Sequence, residues 1–360
     1  MIVYATLILG FLVFIHEGGH YLAARAFGVR VTEFMLGLPG PNIGFTKWGT
    51  KFGVTPFLLG GYAKVCGMEP GEMSPYLEPV LAALYRRGTA NMEDIARDCG
   101  ITDDAAYEAL DELVEWGSIA GPTKQDKYNT YRAPVVKPSK KQVAAGAVAY
   151  ELGQARPVED AHALFESEYK QQYRSLPFWK RSVILVAGVA VNLLFAMILF
   201  VILYSVIGLD MVRQSTGEIV HVTLNPLQAI QAGFMFIGMV VQAVAGLFNP
   251  ATAAETVSQS ASVIGIAALS KDAVDAGLFS IVGFVASISV SLGIMNLLPI
   301  PPLDGGRFVI EVFQKISRKV VTMRALNYLS AAGMILFIGF FLFMANQDIQ
   351  RIISGAGFGG

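Results

Sequence analysis

The first 27 residues form an apolar run long enough to cross a bilayer, and near its middle stand His16, Glu17 and His20. About 20 apolar residues span the hydrocarbon core, and Met1 to Leu12 carries no charged group. An ionisable side chain in such a span costs about 2.5–3.5 kcal/mol on insertion scales, so it normally has a functional partner there. His16 and His20 are four residues apart, which puts both rings on one helical face where they can point at one ion. Glu17 lies beside them, within reach of a ligand water. Two imidazoles and a neighbouring carboxylate in His-Glu-x-x-His make a zinc donor pair with a base. A secretory signal does not fit. There is no basic leader, and His and Glu interrupt the run where a cleavage site would end it.

Hydrophobic residues make up 54% and charged residues 15%, which argues against a purely soluble globule. The net charge of −1 carries no message about nucleic acid. Cys66 and Cys99 are too few and too far apart for a disulfide framework or a zinc knuckle. Four apolar spans stand out, at about 2–27, 182–208, 279–299 and 326–345. Lys and Arg crowd the first connection, the second has only Arg213 and Lys271, and the third has Arg307, Lys315, Arg318, Lys319 and Arg324. That asymmetry predicts an outer N-terminus, a cytosolic 28–181, an outer 209–278 and a cytosolic 300–325.

The expected fold is a polytopic α-helical membrane protein with about four transmembrane helices. To these the sequence adds a membrane-associated β region and a small α+β, winged-helix-like cytosolic insert. The expected divisions are 1–69, 70–150, 151–181 and 182–360. Residues 31–66 alternate glycines with β-formers and read as hairpins. Following the apolar helix, they suggest a sheet that dips toward the membrane, where such backbone must be buried in protein or line a wet cavity. Within 76–133, helical spacing covers Tyr76–Arg87, Met92–Asp98 and Asp103–Glu115, with Asn91 and Thr102 as N-caps. Leu81, Leu84, Ile95, Ala105, Leu110, Leu113 and Trp116 are the expected core, and a hairpin-like Ala120–Arg132 follows. An amphipathic helix is expected over about 157–173. Pro226–Phe248 is apolar but broken by Gln228, Gln231 and Gln242. We expect 225–270 to lie on the outer face as amphipathic helices.

A catalytic zinc site takes three protein ligands and a water. The best third candidate is Asp304, in Asn296-Leu-Leu-Pro-Ile-Pro-Pro-Leu-Asp304-Gly-Gly306. With the topology above, spans one and three run the same way, so Asp304 and the two histidines fall at one depth. Prolines stop the third helix, and glycines let backbone approach closely.

With these two motifs the chain resembles the site-2 protease family of intramembrane zinc metalloproteases. The family pairs His-Glu-x-x-His with Asn-x-x-Pro-x-Pro-x-Leu-Asp-Gly, present here as His16–His20 and Asn296–Gly305. Leu59-Gly60-Gly61-Tyr62-Ala63-Lys64 is similar to its membrane-associated strand, and Ala187-Gly188-Val189-Ala190-Val191-Asn192 to its Ala-Gly-Pro-x-x-Asn segment. The resemblance implies His16, His20 and Asp304 as Zn2+ ligands and Glu17 as catalytic base. It implies that Asn192 and Asn296 hold substrate or the loop around the metal. An edge strand near Gly60, Gly61 and Tyr62 could hold an extended substrate by β-addition. The implied substrates are single-span membrane proteins in the lipid bilayer, and the implied location is a bacterial inner (plasma) membrane. The chain departs from the family at Val189, where the family has Pro. It also lacks room for a PDZ domain between spans two and three, since about fifteen residues, Gly208–Val222, precede the 225–270 segment.

Two other readings compete. A membrane-tethered regulator would bind DNA through the insert. Its third helix carries Asp103, Asp104, Glu108, Asp111, Glu112 and Glu115 and no Lys or Arg, the wrong sign for phosphate. A metal transporter would use His16, Glu17 and Asp304 as a pathway, but no second span carries a relay. The insert is therefore expected to meet a cytosolic protein partner, or the chain's own Lys315–Arg324 loop, and no nucleic acid.

Overall fold

The computed structural model describes residues 1–58, 60–68, 71–124, 126, 129–138, 143, 146, 148–212 and 218–354. Leu59 and parts of the 70–150 and Ala120–Arg132 stretches lie outside the described residues. The apolar N-terminal run is one helix, α1 (Ile2–Ala26), about 37 Å long at 1.5 Å per residue. A four-stranded sheet follows: β1 (Val31–Leu36), β2 (Ile43–Lys47), β3 (Thr50–Val54) and β4 (Gly61–Val65). Its order is β2-β3-β1-β4, so β2 and β4 are the edges. The β2–β3 hairpin turns at Trp48–Gly49, both at positive φ. The expected hairpins are only part of the sheet, because β1 pairs β3 in parallel and β4 antiparallel. The outer edge exposes Ile43 and Phe45, and β3 exposes Val54.

The insert has the order α2 (Leu77–Arg87), β5 (Thr89–Asn91), α3 (Met92–Cys99), α4 (Asp103–Glu115), β6 (Thr130–Arg132). Asn91 caps α3 by accepting from Asp94 N, and Thr102 caps α4 by accepting from Ala105 N, as expected. Leu81, Leu84, Ile95, Leu110, Leu113 and Trp116 are buried together. Ala105 is half-buried, because the stripe shared with Leu110 and Leu113 runs through Ala106 and Ala109. The expected 157–173 helix is shorter, α5 (Ala161–Tyr169), capped by Asp160. Its Phe165 and Tyr169 rings lie against Trp116, so its apolar face covers the insert.

α6 (Phe178–Val201) continues through a π-helical turn, Ile202–Ile207. A hairpin follows, β7 (Leu209–Val212) with β8 (Ile219–Val222). Then come α7 (Pro226–Gly246), α8 (Ala253–Gln259), α9 (Val263–Asp275), α10 (Leu278–Asn296), α11 (Asp304–Ser317) and α12 (Met323–Ser354). Five helices among the described residues are long and apolar enough to cross a membrane, where the sequence reading gives four. The fifth is Pro226–Gly246. Asn225 and Gln228 form a capping box at its start, and Gly233 rests on Met197 and Phe200 of α6. Its Gln228, Gln231 and Gln242 are exposed and do not break the helix. The chain is an integral membrane protein built on α6, which packs between α1 and α10.

Candidate metal centre

Small residues let α1 and α6 touch main chain to main chain. A Cβ on Gly19 would stand 2.6 Å from Ala187 O, and one on Gly188 would stand 2.4 Å from His20 Nε2. Apolar burial cannot drive helices together in lipid, so close packing of this kind is what holds them. It also sets the two rings beside α6. His16 and His20 are each 6% exposed. Asp304 arrives from the first turn of α11, after the Pro-rich loop that ends α10. Its loop folds so tightly that a Cβ on Gly305 would lie 2.2 Å from Leu297 O.

The three donor atoms converge. His16 Nε2 is 3.0 Å and His20 Nε2 is 3.1 Å from Asp304 Oδ2, and the two Nε2 atoms are 3.4 Å apart. Ligands at the usual zinc distance of about 2.0–2.1 Å in a tetrahedron are separated by about 3.3 Å. The three separations therefore fit one face of a zinc tetrahedron. The tautomers agree as well. His20 Nδ1 donates to Ile184 O at 2.8 Å, which leaves Nε2 free to ligate. His16 Nδ1 lies 3.2 Å from the Asn192 amide, whose Oδ1 is a buried acceptor without a partner among the described residues. Turned to face the ring, that oxygen accepts the Nδ1–H and frees Nε2.

The other candidates fall into place around this cluster. Glu17 Oε2 accepts from Ala63 N at 2.9 Å, so its carboxylate rests on the edge of β4 that β1 leaves unpaired. Gly61 allows this, since a Cβ there would meet Val13 of α1 at 2.8 Å. Tyr62 donates its hydroxyl to Glu33 on β1 at 2.8 Å, and what this stretch brings to Glu17 is main chain. Gly60 precedes the strand at positive φ. Asn296 Nδ2 is 3.5 Å from His16 Nε2, on the ligand side of that ring. Asn192 is fully buried behind His16, a place suited to orienting the ring. Ala63 and Ile184 act through backbone atoms, which side-chain chemistry in the sequence cannot advertise. Gly188 stood inside the Ala187–Asn192 stretch, where its small size was the available signal.

The cysteines stay outside the centre. Cys66 is buried and its thiol is pushed up to about 11 by that burial. His16, His20 and Asp304 are the group of three among the described residues with donor atoms close enough to hold a metal.

Comparison with known proteins agrees with this chemistry. The model of peptidase family M50 matches residues 4–340. A relative from Agrobacterium fabrum, named "Putative zinc metalloprotease", is 25% identical over 365 residues, 96% of this chain and 95% of its own. One from Campylobacter jejuni with the same description is 25% identical over 375 residues, 97% of this chain and 93% of its own. One from Staphylococcus aureus is 42% identical over 78 residues, covering 22% of this chain and 18% of its own.

Proposed function

The chain belongs to peptidase family M50 and is a membrane zinc metalloprotease, and we propose that it cuts peptide bonds within or near the spans of single-span membrane proteins. The supporting observation is the buried His16–His20–Asp304 cluster with Glu17 beside it at the edge of β4. When bound, zinc supplies Lewis-acid polarisation of the scissile carbonyl and of the attacking water. His16 and His20 would hold it through Nε2, and Asp304 through Oδ2.

Glu17 takes the proton from the attacking water and then delivers it to the leaving amine. The Ala63 amide holds Oε2, leaving Oε1 for the proton. A helical substrate hides its carbonyls in i→i+4 bonds, so the substrate must be extended. The free edge of β4 offers backbone groups to such a segment next to the base. Asn296 is placed to touch the substrate or the water, and Asn192 holds His16. The exposed apolar face of β2 and β3 suits a sheet that enters the membrane. We place the N-terminus outside and the insert in the cytosol of a bacterial inner membrane, on the Lys/Arg asymmetry.

The test is cleavage of a single-span substrate by protein reconstituted in vesicles. Chelator should abolish the cut and zinc restore it. Cleavage that survives chelation would overturn the reading.

A further inference from the structure

β4 ends at Val65, and the chain turns through Cys66 and Gly67 to Met68. Beyond that turn lies a cleft of about 290 Å³. Pro301 and Pro302, in the same loop that delivers Asp304, line it together with Arg307, Glu311 and Leu326. A second cleft of about 380 Å³ adjoins it and shares Met68, Tyr173, Glu311 and Gln314. That second cleft leads past Arg174 and Arg181 to Gly71–Met73, where the insert begins. The metal loop, the turn after the edge strand and the foot of the insert thus border a groove made of two clefts with four lining residues in common.

Three arginines stand along it. Arg181 pairs with Glu311 at 3.3 Å, and Arg174 with Glu112 at 3.6 Å. Arg307 has no carboxylate partner among the described residues. Its Nη1 rests 3.1 Å from Met68 Sδ, a weak acceptor, and the residue is exposed. Arg307 follows Asp304 by three positions on α11, so the two share a helix face. A planar guanidinium without a carboxylate partner among the described residues, lining a cleft that Pro301 and Pro302 of the Asp304 loop also line, is suited to a carboxylate.

Resting on the protease reading above, we propose that this groove holds the substrate flank running from the scissile bond toward the insert, and that Arg307 selects an acidic side chain in it. One helical turn, about 5 Å, separates Asp304 from Arg307. An extended substrate advances about 3.3 Å per residue, so the contact falls about two residues from the bond. The pair forms at a partly open surface, which sets the preference for Asp over Lys at about fivefold.

The experiment uses the full-length protein in vesicles and one single-span substrate carrying Asp, Asn or Lys at each of five positions on either flank. Asp should be preferred at one or two positions on one flank only, mainly through KM. Arg307→Glu should invert that preference toward Lys, and Arg307→Gln should flatten it, both with zinc content unchanged. Arg307→Glu slowing Asp and Lys substrates alike, or leaving the order intact, would overturn the assignment. If the unaltered protein shows no chelator-sensitive cut of the Asn parent, the protease reading itself fails. A chelator-sensitive cut without charge preference overturns only the groove.

Discussion

Gly188→Ala is the sharpest test of the metal centre, because the added methyl group has nowhere to go. Its Cβ would stand 2.4 Å from His20 Nε2 and 2.8 Å from both Cε1 and Nε2 of His16. Ordinary carbon contacts are about 3.5–4.0 Å, so the rings or the helices must part by about 1 Å. Zinc–ligand bonds tolerate about 0.2 Å. Overpacking of this kind costs about 1–3 kcal/mol, which corresponds to about 5- to 150-fold in binding. Zinc affinity, measured by competition with a chelator in detergent, should fall by that factor, and cleavage should fall with it. Gly18→Ala is the internal control. It lies on α1 between the two histidines, yet its Cβ would meet nothing within 4 Å. It should keep zinc and should change turnover little. If Gly188→Ala binds zinc as tightly as the unaltered protein, or if the two variants behave alike, the packing argument for the site is wrong.

Glu17→Gln should retain one zinc per chain and lose about 10²–10⁴ in turnover, as expected for a lost general base; cleavage near the unaltered rate would remove that role. Ala63→Pro deletes the amide that holds Glu17 Oε2, and should lower kcat with zinc content unchanged; equal turnover would show that the contact does not orient the base. Asn192→Ala removes the group behind His16 Nδ1 and should weaken zinc about 10–100-fold, read by the same competition assay. Full-length protein should show no salt-sensitive binding to random duplex DNA by anisotropy, since the exposed residues of α4 include Asp103, Asp104, Glu108 and Asp111; micromolar binding that falls steeply with salt would revive a DNA-reading insert.

The metal centre was legible because its chemistry needs rare residues at fixed spacing. His16 and His20 had to share a helical face, and Asp304 stood at the one Pro-rich helix end that could reach them. Helix starts were legible for the same local reason, as Asn91 and Thr102 show. What the sequence hid was long-range and carried by backbone. Ala63 reaches Glu17 through an amide that every residue but proline owns. Ile184 holds His20 through a carbonyl. For Asn192 the resemblance implies a hold on substrate or on the loop around the metal, and local sequence does not choose between them. The place of Asn192 behind His16 is decided by how α1 and α6 pack. The parallel β1–β3 pairing was hidden because local alternation favours hairpins between neighbours. The glutamines of 226–246 were read as breaks, although a helix of that length tolerates several side chains turned outward.

The acidity of α4 also divides once the fold is known. Asp103, Asp104, Glu108 and Asp111 face solvent. Glu112 turns inward, accepts from Ser74 N at 2.9 Å and pairs with Arg174 at 3.6 Å. Next along the chain from Arg174 is Tyr173, only 2% exposed, against the Glu311–Arg181 pair. Burial raises the Glu311 carboxyl, and Arg181 opposes that shift. Glu311 lies on α11, two turns after Asp304. On the other side, Arg30 follows the end of α1 and donates to Gly117 O at 2.7 Å, Glu168 at 2.9 Å and Gln171 at 3.0 Å. The insert and its linker are thus fastened to the helix that carries the two histidines and to the helix that carries the aspartate. Half-buried charge pairs of this kind hold geometry more than they add stability. Their consequence is positional: Arg30 sets Gly117, Glu168 and Gln171 against the end of α1, and Arg181 sets α11 against α6 through Glu311.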